Sequence, residues 1–383
     1  GTIGATANLA SGNSFSITGN SASAVATSNV ATTAVTLGAT SGVYASATAN
    51  NSQTAVGGVL SAAVNSTTVG LRGVALDSTP VTVSGNVLNA EATRNSGTNA
   101  LTAAAPTVAG GAASPASFAV ISNQTGQGNV TTTNTVGVVG ATQNSAIGGT
   151  FSVSDNSVLS SANVNKVANS LVLNAANGLS GTGLIDNNQT AQANSLVSAT
   201  ASGGSIGVTP FTSGNTLVST PVTVSGNVIA AQGGGNTALN AIETVAVNTI
   251  SGSFPSFPTY GLLNAQNNAA TVTTTVRDFR VGLVAAAVTT TASSVVNNQA
   301  SALSYGNTAS NAVAVSALTG SSNLASTLIN NTQTNSASIS SAVTGVNIGV
   351  SGGSLSNGSV VVSGNAISAR SVGNSASNII SQK

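Results

Sequence analysis

Val81-Thr82-Val83-Ser84-Gly85-Asn86 returns as Val222 to Asn227 and, nearly letter for letter, as Val360 to Asn365. Six segments share its pattern, anchored at Asn20, Asn86, Asn156, Asn227, Asn298 and Asn365, with spacings of 66, 70, 71, 71 and 67 residues. A spacing held this closely through most of the chain is the mark of a structural repeat.

Five and three residues before each anchor stand Phe15/Ile17, Val81/Val83, Phe151/Val153, Val222/Val224, Ser293/Val295 and Val360/Val362, where only Ser293 is polar. Two residues after it come Ala22, Leu88, Val158, Ile229, Ala300 and Ile367. Fifteen residues after it lie Val35, Leu101, Leu171, Ile242, Val313 and Ile380. Alternation of period two marks strands with one buried face. The buried set changes phase across the anchor, so a corner or bulge must sit there. The residue before the anchor is Gly19, Gly85, Asp155, Gly226, Asn297 or Gly364, types that accept a left-handed backbone. Further asparagines recur nine residues after the anchor (Asn29, Asn95, Asn165, Asn236, Asn307, Asn374) and thirteen after it (Asn99, Asn169, Asn240, Asn311, Asn378). Asparagines at equal offsets in stacked turns can form side-chain amide ladders. The anchors, these asparagines and the corner glycines are the predicted structural site.

A second, weaker segment type lies between the anchors: Asn50-Asn51-Ser52-Gln53-Thr54, Asn187-Asn188-Gln189-Thr190 and Asn330-Asn331-Thr332-Gln333-Thr334, with Gln127-Gly128-Asn129 and Gln266-Asn267-Asn268 as degenerate relatives. Counting both types predicts an all-β fold, a β-solenoid of about eleven turns of roughly 35 residues. A period of about 140 residues overlies it, dividing one continuous solenoid into superrepeats near 1–106 (partial), 107–246 and 247–383 (partial). At ~4.8 Å per turn the rod would be roughly 50 Å long. The stretch 253–260, Ser-Phe-Pro-Ser-Phe-Pro-Thr-Tyr, has no counterpart elsewhere and reads as an inserted loop. Its Phe254, Phe257 and Tyr260, with Arg277 and Arg280 of the single charge cluster, are the candidate lateral contacts.

Composition removes most chemistry. Only 3% of residues are charged, the net charge is +1, and His, Cys, Met and Trp are absent. Seven Lys and Arg spread along the chain make no nucleic-acid surface. Without His or Cys there is no Ser-His-Asp triad, thiol nucleophile or zinc site. Asp77, Glu91, Asp155, Asp186, Glu243 and Asp278 are too scattered for calcium-binding repeats, and a glycosidase needs two acids close together. No catalytic residue, metal or cofactor is therefore expected. The runs Thr131 to Thr133, Thr273 to Thr275 and Thr289 to Thr291 do not recur in every turn, as an ice-binding face would require. No apolar run approaches the ~20 residues of a membrane helix.

The Gly-Asn anchors with alternating small apolar residues, Val83-Ser84-Gly85-Asn86 and Asn188-Gln189-Thr190 in particular, resemble the repeats of secreted functional-amyloid subunits of the Fap type and, more loosely, of curlins. The repeats also look like those of β-solenoid surface proteins. That resemblance implies secretion and self-assembly into an extracellular fibre. Neither end of the chain carries a recognisable cap, and open solenoid edges invite head-to-tail addition; the alternative is that the chain is one piece of a longer rod. The expected role is a structural subunit of an extracellular filament, biofilm-matrix fibre or sheath, with itself as principal partner and cell-surface or matrix polysaccharide as another. The alternative is a rod-like surface adhesin presenting a binding loop such as 254–260.

Overall fold

The β-branched and small residues that dominate the chain suit pleated, closely stacked strands, and a computed structural model shows little else. It describes residues 1–109, 116–210, 215–250, 259–319 and 325–383, in which every regular element is a strand and all strand pairing is parallel. The strands form four faces. Face A contains Thr2–Ser11, Val59–Asp77, Asn129–Gln143 with Ser145–Ile147, Leu196–Pro210 with Thr216–Val218, Thr271–Thr289, and Ile339–Thr344 with Asn347–Ser356. Face B is the short strands Phe15–Thr18, Val81–Ser84, Phe151–Ser154, Val222–Ser225, Ala292–Val296 and Ser359–Ser363. Face C has the long strands Ser21–Gly38, Val87–Val108, Ser157–Leu179, Val228–Ala246, Gln299–Ala317 and Ala366–Gln382, with Thr249–Ile250 beside the third. Face D has Ala47–Ala55, Phe118–Gly126, Gly183–Ala191, Thr259–Asn268 and Ser326–Asn335.

The chain visits A, B, C and D in turn and then climbs to the next level. This is a solenoid-like stack, and its register corrects the expected turn. Val81 pairs with Phe151, and Gln53 stacks on Gln124; laddered partners lie between 65 and 77 residues apart. One coil is thus about 70 residues, twice the length expected. The two segment types occupy faces C and D of the same coil, and the superrepeat of about 140 residues is two coils. Six coils among the described residues span roughly 25 Å at ~4.8 Å each, half the expected rod. Register also reassigns one relative: Gln53 aligns with Gln124, so Ser122-Asn123-Gln124, and not Gln127-Gly128-Asn129, is the counterpart in the second coil.

In face A, Val59–Asp77 pairs with both Asn129–Gln143 and Ser145–Ile147, while Thr271–Thr289 pairs with both Leu196–Pro210 and Thr216–Val218. These pairings join six strands into a closed ring, because one rung is continuous in two coils and interrupted in the two between them.

The first five coils each enclose two apolar cores. The first lies between faces A, B and the start of C, around Val69, Val83, Leu88, Phe151, Val158, Phe279 and Leu283. The second lies between the rest of C and D, around Leu101, Phe118, Leu171, Ile185, Ile242 and Tyr260. The division follows from a second phase change along face C. Ala92, Thr93, Arg94 and Asn95 are all buried, and residues 94 and 164 are skipped together in the ladder, so the inward phase changes at the same level in both strands without a shift of register. Beyond it the inward positions are Asn95 and Asn99 in place of alanine, so a polar zone separates the two cores.

Candidate assembly site: the amide ladders

The anchor asparagines owe their place to the corner. Gly19, Gly85, Gly226 and Gly364 have φ between 63° and 66°, and Asp155 and Asn297 have φ 57°. This left-handed step turns the chain from face B to face C and points each anchor inward. Asn20 Nδ2 donates to Asn86 Oδ1 at 2.9 Å, and the same bond repeats from Asn86 to Asn156 (2.8 Å), Asn156 to Asn227 (2.9 Å), Asn227 to Asn298 (2.9 Å) and Asn298 to Asn365 (3.0 Å). Each Oδ1 from Asn86 onward also accepts the backbone N–H of the preceding anchor, at 2.9–3.2 Å. Each Nδ2 from Asn86 onward donates back to a face B carbonyl of the coil before, Ile17, Val83, Val153, Val224 or Val295. The four central anchors are no more than 1% exposed, so the amides are saturated without water.

Two more columns behave alike. Asn29, Asn95, Asn165, Asn236, Asn307 and Asn374 link Nδ2 to Oδ1 at 2.7–2.8 Å. Asn99, Asn169, Asn240, Asn311 and Asn378 do so at 2.8 Å. Face D answers with Asn187, Asn264 and Asn331 at 2.5–2.6 Å, and with Gln53, Gln124, Gln189, Gln266 and Gln333 at 2.6–2.8 Å. The second column also ties the faces together: its Nδ2 atoms donate to the face D carbonyls of Thr54, Thr125, Thr190, Asn267 and Thr334. In return, the glutamine Nε2 atoms donate to the face C carbonyls of Ser96, Lys166, Thr237, Thr308 and Ser375. Direction separates the two residue types. Every asparagine column donates toward the C-terminal coils, whereas the glutamine column donates toward the N-terminal ones.

The sequence pointed to asparagine and glutamine ladders without assigning Gln53, Gln124, Gln189, Gln266 and Gln333 to the site, and it missed two other features. Glycines 4, 70, 140, 207, 282 and 349 form a column in face A. Gly140, Gly207 and Gly282 have φ of 141°, 140° and 134°, and an added Cβ would overlap the carbonyl of the next glycine in the column. Their recurring aliphatic–Gly–aliphatic context was the available signal. Arg94 has none: it is 4% exposed, and its guanidinium donates to the carbonyls of Gly57 (2.9 Å), Gly58 (3.2 Å) and Asn129 (3.0 Å), pinning the climb from face D to face A. Burial lowers its pKa.

The column on face D is broken where Ser122 stands between Asn51 and Asn187, leaving Asn51 Nδ2 and Ser122 Oγ buried without partners, and Asn99 Oδ1 is left likewise because Thr33 stands before it in its own column. The asparagines of face C meet this column within each later coil, as Asn169 Nδ2 meets Asn187 Oδ1 at 3.4 Å. Ser122 is too short to make the equivalent contact.

The candidate lateral contacts divide. Tyr260 is a correction: it is fully buried in the second core, beside Gly183 in the ladder, and burial drives its hydroxyl pKa upward. Its aromatic ring lies over the space that Gly183 leaves open, where an added Cβ would meet the ring at 3.1 Å. Thr259 and Tyr260 begin a face D strand, so they do not belong to a loop, and Phe254 and Phe257 lie outside the described residues. Arg277 and Arg280 are exposed around buried Phe279, at a kink where Asp278 takes φ 61°. Among the described residues no helix is long and apolar enough to cross a membrane. Comparisons with protein-family models, curated proteins and solved structures gave no match.

Proposed function

We propose that the protein is a structural subunit of an extracellular filament, matrix fibre or sheath, joined head to tail through the edges of its coils, with no catalytic role. One observation carries this reading: buried side-chain amides repeat through every coil, so each coil is built to receive another of the same pattern. Such columns give mechanical and thermal resistance but no open chemistry. The absence of Cys and Met, which removes the residues most easily oxidised, suits service outside the cell.

The sixth coil presents the residues that interior coils use for stacking, with Val360, Val362, Ile367 and Ile380 each 42–52% exposed. Negative-stain microscopy of the purified protein at neutral pH tests the proposal. Filaments with an axial subunit repeat near ~29 Å, six coils of ~4.8 Å, are expected. Monodisperse short particles at every concentration would overturn it.

Matrix polysaccharide is proposed as a lateral partner because face B turns hydroxyls outward in two columns. One runs Ser16, Thr82, Ser152, Thr223 and Ser294, and the other Thr18, Ser84, Ser154 and Ser225. Co-sedimentation with insoluble glucans, lost when Thr82, Ser152 and Thr223 are replaced by valine, tests that contact.

A further inference from the structure

The direction of the amide columns makes the two edges of the stack chemically different. Asn20 and Asn29 pass their Nδ2 hydrogens to the second coil, so their Oδ1 atoms are the acceptors that no coil of the described chain uses. At the other edge Asn365, Asn374 and Asn378 accept from the fifth coil through Oδ1, and none donates onward. In the asparagine columns the first-coil edge therefore offers carbonyl oxygens and the sixth-coil edge offers N–H groups. The apolar columns match as well. Following the register, Val360 falls in the column of Phe15, Val362 in that of Ile17, Ile367 in that of Ala22 and Ile380 in that of Val35.

We propose that a second copy of this chain docks its first coil onto the sixth coil of another through faces A, B and C, with the anchor and second asparagine columns continuing across the junction, and that like edges do not pair. This rests on the filament reading and adds the polarity, the register and the residues of the contact. Two sixth-coil edges brought together about a two-fold axis would set N–H against N–H and run their strands antiparallel. Two first-coil edges would oppose carbonyl to carbonyl. Only the unlike pairing reproduces the bond geometry found between every pair of coils inside the chain.

Because the chain has no cysteine, disulfide trapping tests this directly. Val25 and Arg370 are exposed and share one outward column of face C, so they would become neighbours across the junction. The full-length V25C and R370C variants are mixed in a glutathione buffer, which lets only held pairs oxidise. Neighbouring Cα atoms in a parallel ladder lie within the ~4.4–6.8 Å a disulfide spans. The expected product is the mixed V25C–R370C disulfide, at least about tenfold over either homodisulfide. Adding Asn365→Asp and Asn374→Asp to R370C, which keeps the oxygen acceptors but removes the outward donors together with the bonds to the Val295 and Gln333 carbonyls, should cut the yield about tenfold. Circular dichroism of that variant checks that it remains folded.

Homodisulfides in excess would overturn the polarity. Wild-type filaments without any trapped pair would overturn the register while leaving the filament reading intact. A wild-type protein that never assembles would remove the filament reading, and this inference with it.

Discussion

Single residues govern this fold where the backbone of one coil touches the next. Gly140 has no room for a methyl group, and its φ of 141° is one that L residues rarely adopt. Gly140→Ala should cost about 3 kcal/mol or more in chemical denaturation. Gly178→Ala serves as the control, since nothing lies within 4 Å of its added Cβ, and it should be close to neutral. Ser122 interrupts an amide column and leaves Asn51 Nδ2 without an acceptor. Ser122→Asn should raise stability by about 1 kcal/mol, the net value of a typical buried hydrogen bond; a lower denaturation midpoint would mean that the column is not continuous there. Asp186 lies between Ile121 and Leu263 in the ladder, and burial raises its carboxyl pKa. The folded state then holds the proton more tightly than the unfolded one. Stability is full below the unfolded carboxyl pKa and falls as pH rises through the window up to the raised folded value. Asp186→Asn should therefore raise the melting temperature at pH 7, and the difference should vanish near about pH 3, where both states are protonated.

At the scale of the element, the corner between faces B and C decides where each long strand begins. Asp155 and Asn297 occupy the same step as the corner glycines, so the step tolerates a short polar side chain in the left-handed region. An added Cβ at Gly85 would find only the Gly19 backbone nitrogen, at 3.9 Å. Gly85→Asn is expected to fold and assemble like the wild type, while Gly85→Val should lose about 2 kcal/mol or more, because a β-branched residue resists that backbone. Comparative melting of the two variants separates conformational strain from steric clash. The corner was legible in the sequence because phase, Gly-Asn chemistry and spacing all agreed at one step. The length of the coil was not. Segments on faces C and D recur with the same period, and a period cannot tell a rung stacked above from a strand across the same coil; both carry asparagine at similar offsets because both face the polar zone between the cores. The second phase change was hidden because its position is glycine in only three coils, Gly235, Gly306 and Gly373, and is filled by Ser28, Arg94 and Val164 in the others. Tyr260 was misplaced for a related reason: next to Phe and Pro it looked like part of a loop, yet alternation with Leu262 already marked it as inward.

For the whole molecule, the stack is close to quasi-one-dimensional: contacts run between adjacent coils except where the Tyr305 hydroxyl reaches over Gly234 to donate to Asn163 Oδ1 two coils away at 2.8 Å, and stability should be nearly additive in coils. This gives a decisive way to tell a 70-residue coil from a half-length one. Removing residues 157–227 takes out one complete period of 71 residues and joins Asn156 to Val228, which stand at equivalent positions. The second coil then lies beneath the former fourth with every column in register. Asn95 meets Asn236, Asn99 meets Asn240 and Gln124 meets Gln266, so no amide is orphaned. This shortened chain should fold, keep its β circular dichroism and unfold in one transition at a modestly lower denaturant concentration. Removing residues 157–191 deletes faces C and D from one coil and delivers the chain from a face B corner straight to a face A strand. Buried asparagines would then face apolar columns without partners, a cost of about 1–3 kcal/mol for each orphaned group. That variant should be insoluble or lack cooperative unfolding. If the half-coil deletion folds and the full-coil deletion does not, the coil is the shorter one and the four-faced stack is wrong.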